Sequence, residues 1–442
     1  MIVNVLGSVF NSCYPEIIEE IREKVLTRGV YNALSVETFD KNAWFSDEIP
    51  GNWTPWCCAC LTTAAAVFEK DYNKLAEIIQ TYTKCVSRYL YYYPDDGYCM
   101  EGPTYFSVAV GNVFYMSNIF DQLYPKGMKQ FYSDQKVRNM FEFIANVSIK
   151  NSLVTFSDSG SNSAETYRTS GFIKCCAEAI NSDKLRQLGN QQPNGKNLGY
   201  WQFFHLSVLL MTLFDTTNYT AVADSDDSEI YCYEDKLMVF KSDKLAVSLK
   251  GGTNAEYHNH NDLGHFSIWN KGEIIIADAG GGLYNKEYFS VNRYKIWNTR
   301  AKGHNAIVFD DIEQQQGQVY QGKIKCSYNI AECDLSNAYP LEAGVINYKR
   351  FVEFDSEKIT IEDKFDLQNK KKANIHLLTP IKPQINGNTI NLGEVSMILE
   401  DIEFEACNSV EDLIGRKPAN WQELYELKLS SSNDNFKITF KI

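Results

Sequence analysis

The chain has 442 residues, 44% of them apolar and 13% aromatic, which is more than one core usually serves, so two domains are expected. A formal net charge of −13 argues against a general nucleic-acid binder, and no apolar run in the sequence is long enough to span a bilayer. Residues 1–10 show neither a basic stretch nor a small-residue cleavage site, so no signal peptide is read. The chain as given is expected in the cytoplasm, or in the periplasm or outside the cell if a leading segment has been removed.

Residues 1 to about 220 carry helical spacing. Pro15 can open a helix with Ile17, Ile21 and Val25 on one face, and Gly29 can stop it. A longer stripe, from Leu75 through Ile78, Tyr82 and Val86 to Leu90, ends at Pro94. Further helices are expected near 57–70, 105–123, 135–149, 164–181 and 201–214. Amphipathic helices joined by short links suggest antiparallel hairpins stacked in a ring or arc. Cys57, Cys58 and Cys60 cluster, as do Cys175 and Cys176, but there is no paired C-x-x-C knuckle. All twelve cysteines read as free, buried thiols of a reduced compartment, without assigned chemistry.

The acidic, polar stretch 221–229 reads as a linker. After it the period changes to two. Strands are expected at Leu237–Lys241, Leu245–Lys250, Phe266–Trp269, Glu273–Ala277, Ala306–Phe309, Phe351–Phe354, Ile359–Glu362 and Phe436–Ile442. The organisation expected is therefore multidomain α and β: a helical domain over 1–222 and an antiparallel β-sandwich over 228–442.

Chemistry gathers in the second half. Of six histidines, four lie between 258 and 304. If the segment Tyr257-His258-Asn259-His260-Asn261-Asp262 is a strand, His258, His260 and Asp262 point to one face. A core face would not accept that trio unpaired, since each bare polar group costs roughly 1–3 kcal/mol or more; a solvated strand end is the plainer reading. Asp278 closes an apolar strand ahead of Gly280, Gly281 and Gly282, and His304 precedes another strand. His260, Asp278 and His304 make an N,O,N set suited to zinc with water as fourth ligand. A hairpin turning at Asn270-Lys271-Gly272 sets Asp278 opposite Gly264, four residues from His260, so a bulge must close the gap, with Gly264 as a candidate site. A hydrogen-bonded His–Asp pair without metal fits the same residues equally well. In the helical half, Thr104 can cap a helix with Tyr105 in its first turn, where the positive helix end lowers a phenol's pKa. With 27 tyrosines in the chain, an ordinary half-buried aromatic is the default for any one of them.

Taken in order, "NW" at Asn52, "DGYCMEGPTY" ending at Tyr105, "FSDSG" at 156–160, and "HNHND…IIIADAGGGLY…GHNAIVFDD" over 258–311 resemble the heparinase II/III-like polysaccharide lyases, including oligoalginate lyases of the same fold. The resemblance runs from about residue 15 to the end. It implies an incomplete α/α toroid followed by an antiparallel β-sandwich. It also implies Tyr105 and His258 as catalytic acid and base, Asn52 as the group that neutralises the substrate carboxylate, and a structural zinc on His260, Asp278 and His304. Tyr284 matches a second active-site tyrosine, in competition with Tyr288. The sequence departs from the pattern in a short helical half, in Ala109 where some relatives carry arginine, and in Trp53 where several carry histidine.

The resemblance implies β-elimination on a uronic-acid glycan. The C5 proton lies α to a carboxylate, so donors aimed at that carboxylate must stabilise the dianion while a base takes the proton and an acid protonates O4. Two rivals fit the same sequence. One is a glycoside hydrolase on a helical toroid, with Asp95, Asp96, Glu101 and Asp158 available as paired carboxylates. The other is a non-catalytic carbohydrate-binding protein that uses Trp53 and Trp56. The expected partner in the lyase reading is an acidic poly- or oligosaccharide.

Overall fold

The computed structural model describes residues 14–35, 43–46, 49–150, 152–159, 170–190, 228–418 and 421–442. The chain divides into two compact units. One is Met1–Cys99, Tyr105–Phe143 and Tyr167–Ala221; the other is Met100–Thr104, Ile144–Thr166 and Val222–Ile442. The helix expected at 201–214, the start of that at 164–181 and most of the linker at 221–229 lie outside the described residues.

The first unit is helical. Gly29 does not stop the first helix: Pro15–Lys24 runs into a π-helical turn, Val25–Val30, and on into Tyr31–Leu34. A glycine inside a helix costs only about 1 kcal/mol relative to alanine, and no proline follows to interrupt the ladder. Ile17 and Ile21, expected on one face of this helix, are exposed. The next two long helices, Trp53–Phe68 and Tyr72–Tyr92, pack together. Asp71 caps the second by accepting from the Asn73 backbone N–H at 2.9 Å. Its stripe buries Ile78, Tyr82, Val86 and Tyr89, and the helix ends two residues ahead of Pro94, which restricts its predecessor to extended backbone. Helices Pro103–Leu123, Gln135–Asn146, Ser170–Ile180 and Asp183–Asn190 follow. Among the described residues no helix is long and apolar enough to cross a membrane.

The second unit is built on three large antiparallel sheets, beside a two-stranded one that pairs Ser148–Ile149 with Ser152–Leu153. A five-stranded sheet runs in chain order through Glu229–Tyr233, Leu237–Lys241, Leu245–Lys250, Phe266–Asn270 and Glu273–Ile276. A nine-stranded sheet centres on Val345–Phe354, Lys358–Leu367 and Asn435–Lys441, and a four-stranded sheet contains Ile307–Phe309 and Ala373–Thr379. Alternation decides their faces. In Lys358–Leu367, Ile359, Ile361 and Phe365 turn inward while Lys358 and Lys364 stay outside. All three sheets contribute to one apolar core, with Phe240 stacked on Phe354 at 4.6 Å between ring centres. That shared core makes the unit a β-sandwich.

Two cysteines depart from the free-thiol reading. Cys232, in the edge strand of the five-stranded sheet, is disulfide-bonded to Cys326 in the nine-stranded sheet. The two lie 94 residues apart in sequence, with no spacing signature to reveal the pair. Cys57, Cys58, Cys60, Cys85, Cys176, Cys333 and Cys407 are free thiols.

Candidate active site of the β unit

The histidine segment is a loop and not the expected strand. The short strand Gly252–Asn254 ends ahead of it, and pairing resumes only at Phe266. Three left-handed residues break the extended path: Gly252 (φ 86°), His258 (φ 59°) and Gly264 (φ 80°). His258, a non-glycine in that region, is held there by its surroundings. Asp262 does not share a face with the histidines. It is drawn inward, where it forms a fully buried ion pair with Lys250 at 2.9 Å. The following hairpin turns at Lys271 and Gly272, both left-handed, and pairs Asn270 with Glu273. Its register then shifts beside Ile268 and Trp269, so the strand irregularity lies here and not at Gly264. Asp278 follows Ala277, which bridges Leu378 of the four-stranded sheet.

Asp158 is the centre of the site. It sits in the turn after Leu153, with Ser157 left-handed at φ 57°, and its backbone N–H donates to the His258 carbonyl at 3.1 Å. Its Oδ2 accepts from His258 Nδ1 at 2.9 Å. Its Oδ1 accepts from His260 Nε2 at 2.9 Å, the Tyr288 hydroxyl at 2.6 Å and Arg293 at 2.7 Å. Burial works to raise the Asp158 pKa, but the hydrogen bonds from His258 and His260 and the charge of Arg293 outweigh it and hold the carboxyl well below the usual range. The same arginine donates to the carbonyls of His258 and Asn259, so the loop backbone and the carboxylate share one cation. The far ring nitrogen of His258 faces Glu101 Oε2 at 3.8 Å, and the histidine side chain is 22% exposed.

The three residues expected to hold zinc are fully or almost fully buried. His304 Nδ1 donates to Asp278 Oδ2 at 2.8 Å, and burial, which lowers the His304 pKa, is outweighed by that carboxylate, so the pKa is raised. His260 donates from Nε2 to Asp158, so its Nδ1 carries the lone pair, and this atom faces His304 Nε2 at 3.2 Å. Two imidazole lone pairs that close repel unless a cation or a proton lies between them. Two nitrogens on one tetrahedral zinc stand about 3.3 Å apart, given bonds of about 2.0–2.1 Å. The spacing of His260 and His304 therefore fits two zinc ligands, whereas Asp278, expected as the third, accepts from His304 Nδ1 and is placed to orient it.

His265 also brings a nitrogen within 4.8 Å of donors from Asp278 and His304. However, its Nδ1 accepts from the Asn305 backbone N–H at 3.2 Å, which leaves hydrogen on Nε2. That atom points to Ser267 at 3.0 Å and Asp278 at 3.3 Å, so His265 acts as a donor to the carboxylate rather than as a ligand.

Burial separates the two candidate tyrosines. Tyr288 is wholly buried, with its hydroxyl committed to Asp158 and its ring under the Arg293 guanidinium at 4.4 Å; burial and the Asp158 charge raise its pKa. Tyr284 is 39% exposed and packs its ring on Tyr288 and Phe289. Asn52 and Tyr105 belong to the helical unit. Asn52 is buried immediately ahead of the helix Trp53–Phe68, and Tyr105 is buried in the first turn of Pro103–Leu123. That helix starts at Pro103, so Thr104 is its second residue and not its cap; proline at the first position supplies the fixed φ.

Sequence reasoning missed the supports. Asn305 staples three segments, donating to the carbonyls of Phe266 and Ala277 and accepting from the Leu378 N–H. Arg350, fully buried, pairs with Asp363 and donates to the carbonyls of Gly264 and Asn305. The sandwich core thus grips the residues next to His265 and His304. Alternation places Arg350 on the inward face of its strand, and a lone arginine at an inward position was the available signal.

Comparison with known proteins adds the following. Residues 236–412 match the model of the heparinase II/III-like C-terminal family. No curated protein sequence matches the chain. Among solved structures, a heparinase III aligns with a TM-score of 0.63 at 16% identity, covering 90% of this chain and 60% of that one. The heparan sulfate lyase of Pedobacter heparinus aligns at 0.59 and 14%, covering 88% and 59%. A chondroitin AC lyase of Streptomyces coelicolor aligns at 0.52 and 9%, covering 92% and 62%. At these identities the likeness is one of fold, and the chain spans about 60% of the length of the heparinases it matches.

Proposed function

We propose, from the match of residues 236–412 to the heparinase II/III-like C-terminal family, that the protein is a polysaccharide lyase that cleaves uronic-acid glycans by β-elimination. The observation that carries the reading is His258, which gives Nδ1 to a buried carboxylate and turns Nε2 away from it, toward Glu101, in a partly exposed position. A ring held this way serves as a base through one nitrogen while the other is anchored.

In this reading Asn52 donates to the substrate carboxylate and lowers the energy of the dianion formed at C5. Tyr105 and His258 divide the proton transfers. If the C5 hydrogen and O4 lie on one face of the sugar, Tyr105 takes the first proton and returns it to O4. If they lie on opposite faces, His258 is the base and Tyr105 the acid. In this reading Tyr284 contacts the sugar. His260 and His304, with Asp278 behind, would hold zinc. When bound, it supplies structural charge that fixes His260 beside His258.

Asp158 counts against the hydrolase alternative. Its oxygens are saturated by four donor groups and its pKa is depressed, so it is a poor general acid. The disulfide supports an oxidising compartment, periplasmic or extracellular, over the cytoplasm.

The test is a panel of heparan-, chondroitin-, hyaluronan- and alginate-type polymers followed by ultraviolet absorbance. Lyase action generates an unsaturated uronate chromophore. New reducing ends without that chromophore would establish hydrolysis instead.

A further inference from the structure

We propose that Asp158 is a positioning residue that sets the tautomers of His258 and His260 together, so that one carboxylate directs a lone pair into the reaction site and another toward the metal position. The inference rests on the lyase reading for its consequence on turnover, but the tautomers themselves do not depend on it.

The geometry is specific. Asp158 presents Oδ2 to His258 Nδ1 and Oδ1 to His260 Nε2, each at 2.9 Å. An ionised carboxylate only accepts, so each facing nitrogen must carry hydrogen. In neutral rings this leaves the lone pair of His258 on Nε2 and that of His260 on Nδ1. The two histidines, two residues apart, are therefore held in opposite tautomers by opposite oxygens of one group. His260 Nδ1 is the atom that faces His304 Nε2. Arg293 and Tyr288 keep the carboxylate ionised and in place: Arg293 donates to Oδ1 and to the His258 carbonyl, and the Tyr288 hydroxyl donates to Oδ1. The Asp158 backbone N–H bonded to the His258 carbonyl fixes the distance between turn and loop, so the carboxylate cannot slide along the ring.

An amide at this position would break the arrangement without changing its size. Asparagine offers one accepting oxygen and one donating nitrogen, so it cannot accept from both histidines. Whichever ring meets the NH2 group must present a lone pair there and move its hydrogen to the other nitrogen. For His258 that would place hydrogen on Nε2 and remove the base.

The experiment is heteronuclear NMR of histidine-labelled protein, with kinetics on whichever uronate polymer the wild type cleaves. In the wild type, His258 and His260 are expected in opposite neutral tautomers, with hydrogen on Nδ1 and Nε2 respectively. Asp158→Asn is expected to shift at least one of them and to lower kcat by about 10²–10⁴-fold with KM little changed. Asp158→Glu, which keeps two accepting oxygens, should recover part of the rate. A wild-type His258 with hydrogen on Nε2 overturns the proposal, and this reading stands even if Asp158→Asn fails to fold. Unchanged tautomers and kcat in a folded Asp158→Asn overturn it as well. Absence of lyase activity in the wild type would sink the function proposed above while leaving the tautomer result to be judged on its own.

Discussion

Breaking the Cys232–Cys326 disulfide should destabilise the β unit by about 2–5 kcal/mol. The bond joins the edge strand of one sheet to a strand of the facing sheet across 94 residues of chain. Loop-closure entropy for a loop of that length gives about 4.7 kcal/mol at 25 °C. Removal of native disulfides from small domains spans about 2–5 kcal/mol, and the large core shared by the three sheets keeps the unit folded after the loss. Cys232 is exposed, so mild reductant should reach the bond in the native protein. The assay is guanidinium unfolding of wild type, oxidised and reduced, beside Cys232→Ser with Cys326→Ser, with thiols titrated before and after reduction. Two additional thiols should appear on reduction, and the transition of the β unit should move to lower denaturant. If no thiols are released, or if the unfolding free energy is the same in all forms, the cross-link and the compartment argument built on it are wrong.

Arg350→Met should cost about 3–5 kcal/mol, because it leaves Asp363 buried without its cation and frees the carbonyls of Gly264 and Asn305; chemical denaturation checks the loss, and a variant within 1 kcal/mol of wild type, on the order of a surface substitution, contradicts it. In metal-free protein, His265 should make stability fall with acid. Burial pushes its pKa down to about 4 from about 6.5 in the unfolded chain. The unfolded chain therefore takes the proton first, and the contribution of roughly 3 kcal/mol is complete above about pH 6.5 and lost as pH falls toward 4. The slope of unfolding free energy over that window should flatten in His265→Gln. Stripping metal with a chelator should lower thermal stability and turnover together, with zinc restoring both; a metal-free protein of full stability and activity would remove zinc from the account.

The sandwich was legible because strands such as Lys358–Leu367 and Asn435–Lys441 alternate cleanly; Leu237–Lys241 and Leu245–Lys250, buried along nearly their whole length, also form where strands were expected. The histidine loop was misread because its polar residues also alternate. What defeats the strand is local, in the left-handed backbone at His258 and Gly264 and the inward pull of Lys250 on Asp262. Asp278 and His304 were found because each flanks an apolar strand, and they do meet at 2.8 Å. Asp158 entered the sequence reading only through a short family-like element and as a spare carboxylate. Nothing in "FSDSG" announces that both histidines, a tyrosine and an arginine converge on it from 100 to 135 residues away. Long-range pairing of this kind, like the disulfide, leaves no periodic trace. The Gly29 stop failed for the opposite reason: a weak local signal was overridden by continued helical hydrogen bonding.

The most direct test of the central claim is the ultraviolet trace of uronate-polymer cleavage by wild type, Tyr105→Phe and His258→Gln, each first shown to be folded by circular dichroism. Elimination by this pair of residues requires a rising unsaturated-uronate signal in the wild type and a loss of about 10²-fold or more in each variant. Full activity in either folded variant, or cleavage by the wild type without the chromophore, would contradict it.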